Sequence, residues 1–503
     1  MVRSIEKKPQ WKNTDKAKMN KCRHITMKVL FIEPPKDVWF IMGDYLPPPY
    51  GIIQLGAYLE EHLPEVEVKV LDCNASKIDW DMLPEYIEKE NPDIIASSSL
   101  STCNTYQVAR TLQAAKKTRP DALTITGGQH FSFTAEESLS AFPVIDVIVR
   151  GEGEVTLAEL VTAWMENTPI ASVDGITYRD EDGIHHTPDR ALIEDLNTLP
   201  FPGYHLVKDV VHTYNFAAMG GRDAQYALVE GGRGCPHKCT FCTQWRHWCG
   251  KWRVKTPARI ADEMEYVYNE YGGRFIWLTD DNFGPGERAK ALAEELLKRD
   301  FGDDFMWFLQ MRCDDVLDIK DYLPLMRKSG LQWVMMGVES PKTETLEEYR
   351  KGIEPKMAYE AVRLLQANDI FTHAMFIIGD RKDTHESIKA LRRYVLELNP
   401  DFVIYTVLTP FPGIEVYDEA KQKGWIEDDN LFHYDMAHAI MGTETMTRKE
   451  VQEELHMCYR SFYGSWSRRI RGILSSNALK RRINWFMAWQ GILVQLKNLA
   501  EMV

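Results

Sequence analysis

An α/β protein is the fold class the sequence predicts: an N-terminal doubly wound sheet of the Rossmann or flavodoxin-like kind, a partial (β/α)6 TIM-type barrel and a helical C-terminal region. Three observations lead there. Between Met27 and Arg150, five short β-rich runs alternate with helical patterns. From Tyr226 a second alternation adds six strands, and after Gly424 the pattern turns helical and irregular. Strands that alternate with helices indicate parallel sheets covered by helices.

The length of 503 residues gives room for several cores, and 44% hydrophobic against 27% charged residues is a globular balance. A net charge of −14 argues against a nucleic-acid-binding surface. Residues 1–26 hold eight Lys and Arg against Glu6 and Asp15 and read as a flexible basic tail without a signal-peptide core. A cytoplasmic location is expected.

The first unit, residues 27–169, has strands at Lys28–Glu33, Val66–Leu71, Ile94–Ser98, Leu123–Thr126 and Val147–Arg150. Helices are expected near Ile52–His62, Met82–Glu90, Thr105–Thr118 and Ala135–Phe142. Ligands of such sheets sit beyond the carboxyl ends of the strands. Those ends carry Ser98, Ser99, Ser101 and Thr102, then Gly127-Gly128-Gln129-His130, then Gly151-Glu152-Gly153-Glu154. The glycines allow close backbone approach. Residues 170–222 read as a connector with a hairpin around Asp180–Gly183 and a Pro-stiffened stretch at Leu199–Gly203.

The barrel, residues 223–425, has strands at Tyr226–Glu230, Phe275–Leu278, Met306–Met311, Gln332–Val338, Thr372–Ile378 and Phe402–Leu408. Its first helix has Thr256 as cap, Pro257 in the first turn, Ile260, Met264 and Val267 on one face, and Gly272-Gly273 as terminator. Residues 426–503 form the helical region. It is basic at Arg468, Arg469, Arg471, Lys480, Arg481 and Arg482, and its apolar run Ile483–Val494 is too short to span a bilayer and reads as a packed helix.

The first barrel strand is followed by Gly231-Gly-Arg-Gly-Cys235-Pro-His-Lys-Cys239-Thr-Phe-Cys242. The C-x3-C-x2-C spacing offers three thiolates, which leaves one iron of a 4Fe–4S cluster open for another ligand. A structural zinc site favours four ligands and paired C-x2-C units; Cys249 as a fourth ligand would close the open position, and it reads as an ordinary thiol.

With Phe241 before its last cysteine, this motif resembles the radical S-adenosylmethionine (SAM) signature. Thr279-Asp280-Asp281-Asn282-Phe283, Gln310-Met-Arg312 and Gly337-Val-Glu339-Ser340 are similar to that family's loops after the second, third and fourth strands. Thr409-Pro-Phe-Pro-Gly413, with the two glycine-rich stretches of the first unit, resembles the cobalamin-dependent branch. The resemblance covers roughly residues 27–425. One turn departs from it: Ile378-Gly-Asp-Arg-Lys-Asp-Thr384 stands where the family often has a Gly-x-Pro-Gly-x-Thr-like turn.

The resemblance implies a 4Fe–4S cluster on Cys235, Cys239 and Cys242. It implies SAM contacts from Phe241, Asp280, Asp281, Asn282, Gln310, Arg312, Glu339 and Ser340. It implies cobalamin contacts from Ser98, Ser99, Ser101, Thr102, Gly127, Gly128, Gln129, His130, Glu152, Gly153 and Glu154. On the residues alone, Asp280–Asn282 also suit a helix cap, Arg312 and Glu339 a mutual ion pair, and His130 a core position. Trp245, Trp248 and Trp252 suit packing more than a substrate entrance.

The implied reaction is C-methylation of an unactivated sp3 carbon, with SAM as source of the deoxyadenosyl radical and as methyl donor through methylcobalamin. A ferredoxin- or flavodoxin-type electron donor is implied, and a peptide or protein substrate is favoured over a small molecule. A glutamine of methyl-coenzyme M reductase is one candidate. Cys242-Thr-Gln-Trp-Arg-His-Trp248 also looks like the anaerobic magnesium-protoporphyrin monomethyl ester cyclase group, which implies oxidative cyclisation or hydroxylation as the alternative. A non-catalytic cobalamin or redox sensor is a third reading, against which the full series of SAM motifs stands.

Overall fold

The computed structural model describes residues 27–35, 45–99, 101–217, 224–486 and 488–489. The expected basic tail lies outside them, as does most of the apolar run after Ile483.

The first sheet contains β1 (Met27–Glu33), β2 (Val66–Asp72), β3 (Ile94–Ser98), β4 (Leu123–Gly127) and β5 (Val147–Val149). They are parallel in the order β2-β1-β3-β4-β5. The order reverses between β1 and β3, which places the ligand crevice of such a sheet beyond those carboxyl ends. Both faces are covered, so the strands are near-continuous apolar runs rather than alternating ones. Helices Tyr50–His62 and Glu154–Met165 pack on one face, and Leu83–Glu90 and Thr105–Thr118 on the other.

The hairpin expected in the connector is present as β6 (Ile176–Asp180) and β7 (Gly183–His186). It does not stand apart: β6 pairs antiparallel with β5, so the sheet has seven strands. Turn residues specify a hairpin locally, but the sheet it joins is set by the unpaired edge that β5 would otherwise expose.

The barrel strands are β8 (Tyr226–Val229), β9 (Phe275–Leu278), β10 (Met306–Arg312), β11 (Leu331–Glu339), β12 (Phe371–Ile378) and β13 (Phe402–Val407). They run parallel in sequence order, and the sheet stays open between β8 and β13. Helix Pro257–Tyr271 begins where Thr256 accepts a hydrogen bond from the Arg259 amide and ends at Gly272, whose φ is +73°. The end opposite the mouth is filled by Tyr226, Phe275, Phe308, Trp333, Phe371 and Phe402, a floor of aromatic rings on which Leu479 and Ile483 pack. His373 sits in this floor, and burial pulls its pKa down to about 3.

Both open edges are occupied by tyrosine hydroxyls. Tyr204 of the connector donates to the Leu228 carbonyl (2.8 Å) and accepts from the Leu228 amide (2.7 Å) on β8. Helix Arg448–Tyr463, started by a Thr447/Glu450 capping box, lies along β13. From it Tyr459 donates to the Tyr405 carbonyl and accepts from its amide (2.8 and 3.1 Å), and Tyr463 does the same at Val403 (2.7 and 3.0 Å).

Candidate active site at the mouth of the barrel

The cysteine loop follows β8 and is held by the carboxylates that follow β9. The Gly231 amide donates to Asp280 Oδ1 (2.8 Å) and the Gly234 amide to Asp281 Oδ2 (2.9 Å). Gly234 has φ +87°, and a Cβ there would lie 2.0 Å from the Lys251 carbonyl oxygen, so only glycine fits. Gly232-Arg233 pairs antiparallel with Arg253-Val254, which closes the loop. The Cys242 amide then donates to the Cys239 carbonyl (3.2 Å), as does the Trp245 indole (3.0 Å).

Burial pushes the thiol pKa values of Cys235, Cys239 and Cys242 up, that of Cys242 to about 12, while Lys351 and Arg312 draw Cys239 back down. Such thiols ionise on metal binding. Among the described residues no three His, Cys, Asp or Glu side chains are gathered tightly enough to hold one metal ion. A 4Fe–4S cluster spreads its thiolates over separate irons, and three cysteines on one loop suit that donor set. Cys249 is exposed, at φ +51°, beyond the short helix Gln244–His247.

The remaining side chains singled out for SAM ring the same mouth. Asp280 is buried and paired with Arg288 (2.7 Å), and its carbonyl accepts from Gln310 Nε2 (2.7 Å). Burial raises the Asp281 pKa to about 6. Asn282 donates to Asp315 Oδ2 (2.9 Å). Arg312 grips Asp314 in two-pronged fashion (2.9 and 3.0 Å) and donates to the Lys351 carbonyl. Glu339 pairs with Lys351 (2.8 Å), and its φ of +65° is costly for a non-glycine residue. Ser340 Oγ accepts from the Lys342 amide (3.2 Å). Phe241 packs edge-on to Tyr349 (5.0 Å between centroids). Arg312 Nη1 and Asn282 Oδ1 are buried without a partner among the described residues. A free guanidinium nitrogen and a free amide oxygen fit a ligand that presents a carboxylate, an ammonium and hydroxyls.

The first-unit residues meet this mouth from the other side. Ser98 ends β3, Ser99, Ser101 and Thr102 follow it, and the buried His130 ring bonds Thr102 Oγ1 (3.2 Å). Burial lowers the His130 pKa to about 4. A Cβ on Gly128 (φ +96°) would lie 2.3 Å from the Ser99 carbonyl oxygen, and one on Gly127 2.9 Å from that of Val149. These two glycines thus serve strand-to-loop contact. Gly151 (φ +68°), by contrast, has no atom within 4 Å of where a Cβ would lie. Gln129 reaches across to Gln244 (3.1 Å), and the Phe133 ring fills the place a Cβ on Gly413 would take. Glu152 and Glu154, which flank Gly153, face arginines rather than open space. Arg233 bonds Glu152 (2.8 Å), Glu154 (2.6 Å) and Glu230 (3.0 Å), and Arg253 bonds Glu152 (2.9 Å). All five side chains are mostly or wholly buried.

Two alternatives from the sequence give way to other arrangements, and one reading holds. Asp280–Asn282 cap no helix, since the next one begins at Glu287 behind Gly286. Arg312 and Glu339 pair with Asp314 and Lys351, not with each other. Trp252 packs under Gly284, and Trp248 lies between Arg233 and Arg253, both as packing. The unusual turn after β12 is closed by Asp383 Oδ2, which accepts from the Gly379 and Asp380 amides (3.0 and 3.3 Å). Sequence reasoning missed Arg233, Lys351 and Gln244. The only local hint was a charged residue between the two glycines before Cys235.

Two family models match the chain: the radical SAM superfamily over residues 229–395 and the B12 binding domain over residues 43–161. An anaerobic magnesium-protoporphyrin IX monomethyl ester cyclase of Rubrivivax gelatinosus is 32% identical over 446 residues, 87% of this chain and 77% of that protein. An uncharacterized methyltransferase of Pyrococcus horikoshii is 27% identical, over 87% of this chain and 92% of that one. Among solved structures, the cobalamin-dependent SAM radical enzyme OxsB aligns with a TM-score of 0.69 at 18% identity, over 92% of this chain and 71% of that one. The radical SAM methyltransferase TsrM from Kitasatospora setae aligns with a TM-score of 0.64 at 20% identity, over 80% and 77%. The structural likenesses speak to fold.

Proposed function

Because the chain belongs to the radical SAM superfamily, in a branch that carries a B12-binding domain, we propose that it is a C-methyltransferase acting on an unactivated sp3 carbon. Its cofactors are a 4Fe–4S cluster, SAM and cobalamin. When bound, the cluster and SAM supply a carbon radical able to take hydrogen from a strong C–H bond, and cobalamin supplies a methyl carrier.

The chain's own residues do the positioning. Cys235, Cys239 and Cys242 offer the thiolates. Arg312 offers its free nitrogen to a carboxylate, and Asn282 and Glu339 offer oxygens to an ammonium or ribose. Lys351 neutralises Glu339 and lends positive charge to the thiolate side of the mouth. The observation that carries the methyl-transfer reading is the direct contact between the two ligand-bearing loop sets: Arg233 on Glu152 and Glu154, and Gln129 on Gln244. A substrate carbon at the mouth then has the cysteine loop on one side and the carboxyl ends of β3–β5 on the other, the orientation that methyl transfer requires.

A peptide substrate is our first candidate, beginning with a glutamine of methyl-coenzyme M reductase, with a ferredoxin- or flavodoxin-type electron donor and a cytoplasmic location. No described helix is long and apolar enough to cross a membrane. Oxidative cyclisation or hydroxylation of a tetrapyrrole-like substrate is the second reading, favoured by the 32% identity to a cyclase. The deciding experiment is anaerobic incubation of reconstituted protein with SAM, reductant and either the glutamine peptide or a magnesium-porphyrin ester, followed by mass spectrometry. Gain of one methyl with S-adenosylhomocysteine supports methylation. Gain of oxygen or loss of hydrogens on the porphyrin overturns it in favour of the second reading.

A further inference from the structure

The C-terminal region has a charge pattern unlike the rest of the chain. From Leu455 to Ala500 there is no Asp or Glu, although the chain holds 74 of them, while eight Lys and Arg fall there. Helix Trp466–Ile473 buries none of its residues. Its polarity is inverted relative to a packed surface helix. The inward contacts are made by arginines: Arg468 donates to the Pro400 carbonyl (2.5 Å) and Arg469 to that of Tyr463 (2.8 Å). Trp466, Ile470 and Leu474, spaced four apart and so on one side, are 73%, 55% and 75% exposed. The following helical residues send Leu479 and Ile483 onto the barrel floor and leave Arg481, Trp485 and Trp489 outside. The two segments touch where Gly472 meets Asn484.

We propose that these outward faces dock on an anionic lipid surface. A helix that lies in the membrane interface presents apolar side chains with tryptophan toward the lipid and arginine or lysine beside them. Arg471 and Arg481 are exposed among the apolar residues here. Each cation near an anionic leaflet adds attraction, and the lack of carboxylates over 46 residues removes the opposing repulsion. Residues 27–454 carry the chain's acidic excess, which such a surface repels. Because Leu479 and Ile483 rest on the floor, docking points the floor toward the lipid and the mouth away from it. No crossing helix is needed, and none is present among the described residues.

The test uses the full chain, reconstituted, in co-sedimentation with vesicles of phosphatidylcholine alone or with about one third phosphatidylglycerol. We expect at least about ten-fold tighter binding to the anionic vesicles, weakened by high salt. A variant with Trp466→Ser, Ile470→Ser and Leu474→Ser, and one with Arg471→Glu and Arg481→Glu, should each lose about ten-fold. Because these side chains are exposed, both variants should keep their iron and their SAM cleavage. Absence of vesicle binding overturns the proposal, as does equal binding by the serine variant. So does a dimer seen by light scattering that the serine variant abolishes without vesicle binding, because a second copy then covers the face.

Discussion

Arg233→Met tests the contact that joins the two units. Burial pushes the Glu154 carboxyl up, but Arg233 more than offsets this by charge and hydrogen bond and holds it below the usual range. With methionine, Glu152 keeps Arg253, whereas among the described residues Glu154 and Glu230 keep no cation within bonding distance. Breaking a buried pair by removing one partner costs about 3–5 kcal/mol, because the other charge is left stranded. For a unit of this size that is a fall in Tm on the order of 10 °C. The pH dependence has a definite sign. The wild-type contribution is present above the ordinary Glu pKa of about 4.3 and is lost as pH falls through the depressed folded value. In the variant, burial alone raises the Glu154 pKa, and its penalty disappears once the carboxyl is protonated. The gap between the two proteins should therefore narrow from pH 7.5 to pH 5. Adding Glu154→Gln removes the more deeply buried of the two stranded charges and should recover a measurable part of the loss. Thermal unfolding of the four proteins of this cycle at both pH values is the assay. A loss below about 1 kcal/mol, or no recovery in the double variant, would refute the reasoning.

Other tests are more local. Cys235→Ala, Cys239→Ala or Cys242→Ala should each abolish cluster absorption and SAM cleavage, whereas Cys249→Ala should retain both; iron analysis and absorption spectra check this. Arg312→Ala and Glu339→Gln should weaken SAM binding by about ten-fold or more in equilibrium titration, with cobalamin affinity unchanged. Gly128→Ala forces a Cβ against the Ser99 carbonyl at positive φ and should cost roughly 1–3 kcal/mol, read from thermal unfolding. The sequence has no Asp-x-His-x-x-Gly motif, and His130 is buried on Thr102. We therefore expect bound cobalamin with neither a protein histidine nor its own benzimidazole at cobalt, so electron paramagnetic resonance of bound cob(II)alamin should show no nitrogen superhyperfine splitting; its appearance would refute this arrangement.

Periodicity located eleven strands of the two sheets to within one or two residues, because each is a short apolar run bounded by polar turns. The cysteine spacing is a local feature and was readable for the same reason. What stayed hidden were partnerships between distant residues. Glu152 and Glu154 stand in a glycine-rich stretch that suggests a ligand, and nothing nearby says that Arg233, about 80 residues later, occupies them. Asp280 and Asp281 look like free carboxylates in sequence, yet each also accepts a backbone amide of the cysteine loop. The reach of Lys351 to Glu339 depends on the turn after helix Thr343–Glu348, which residue type alone does not fix.

The tyrosines on β8 and β13 bear on how the protein behaves in a crowded solution. An open barrel exposes two strand edges, and each edge is a template on which a second chain can add a strand and begin an aggregate. A phenol hydroxyl both donates and accepts, so one tyrosine satisfies the carbonyl and the amide of one residue without offering a new backbone edge beyond it. Tyr204, Tyr459 and Tyr463 do this at Leu228, Tyr405 and Val403. The open barrel thereby offers a second chain fewer unpaired backbone groups along its edges, through three hydroxyl groups far from the chemistry.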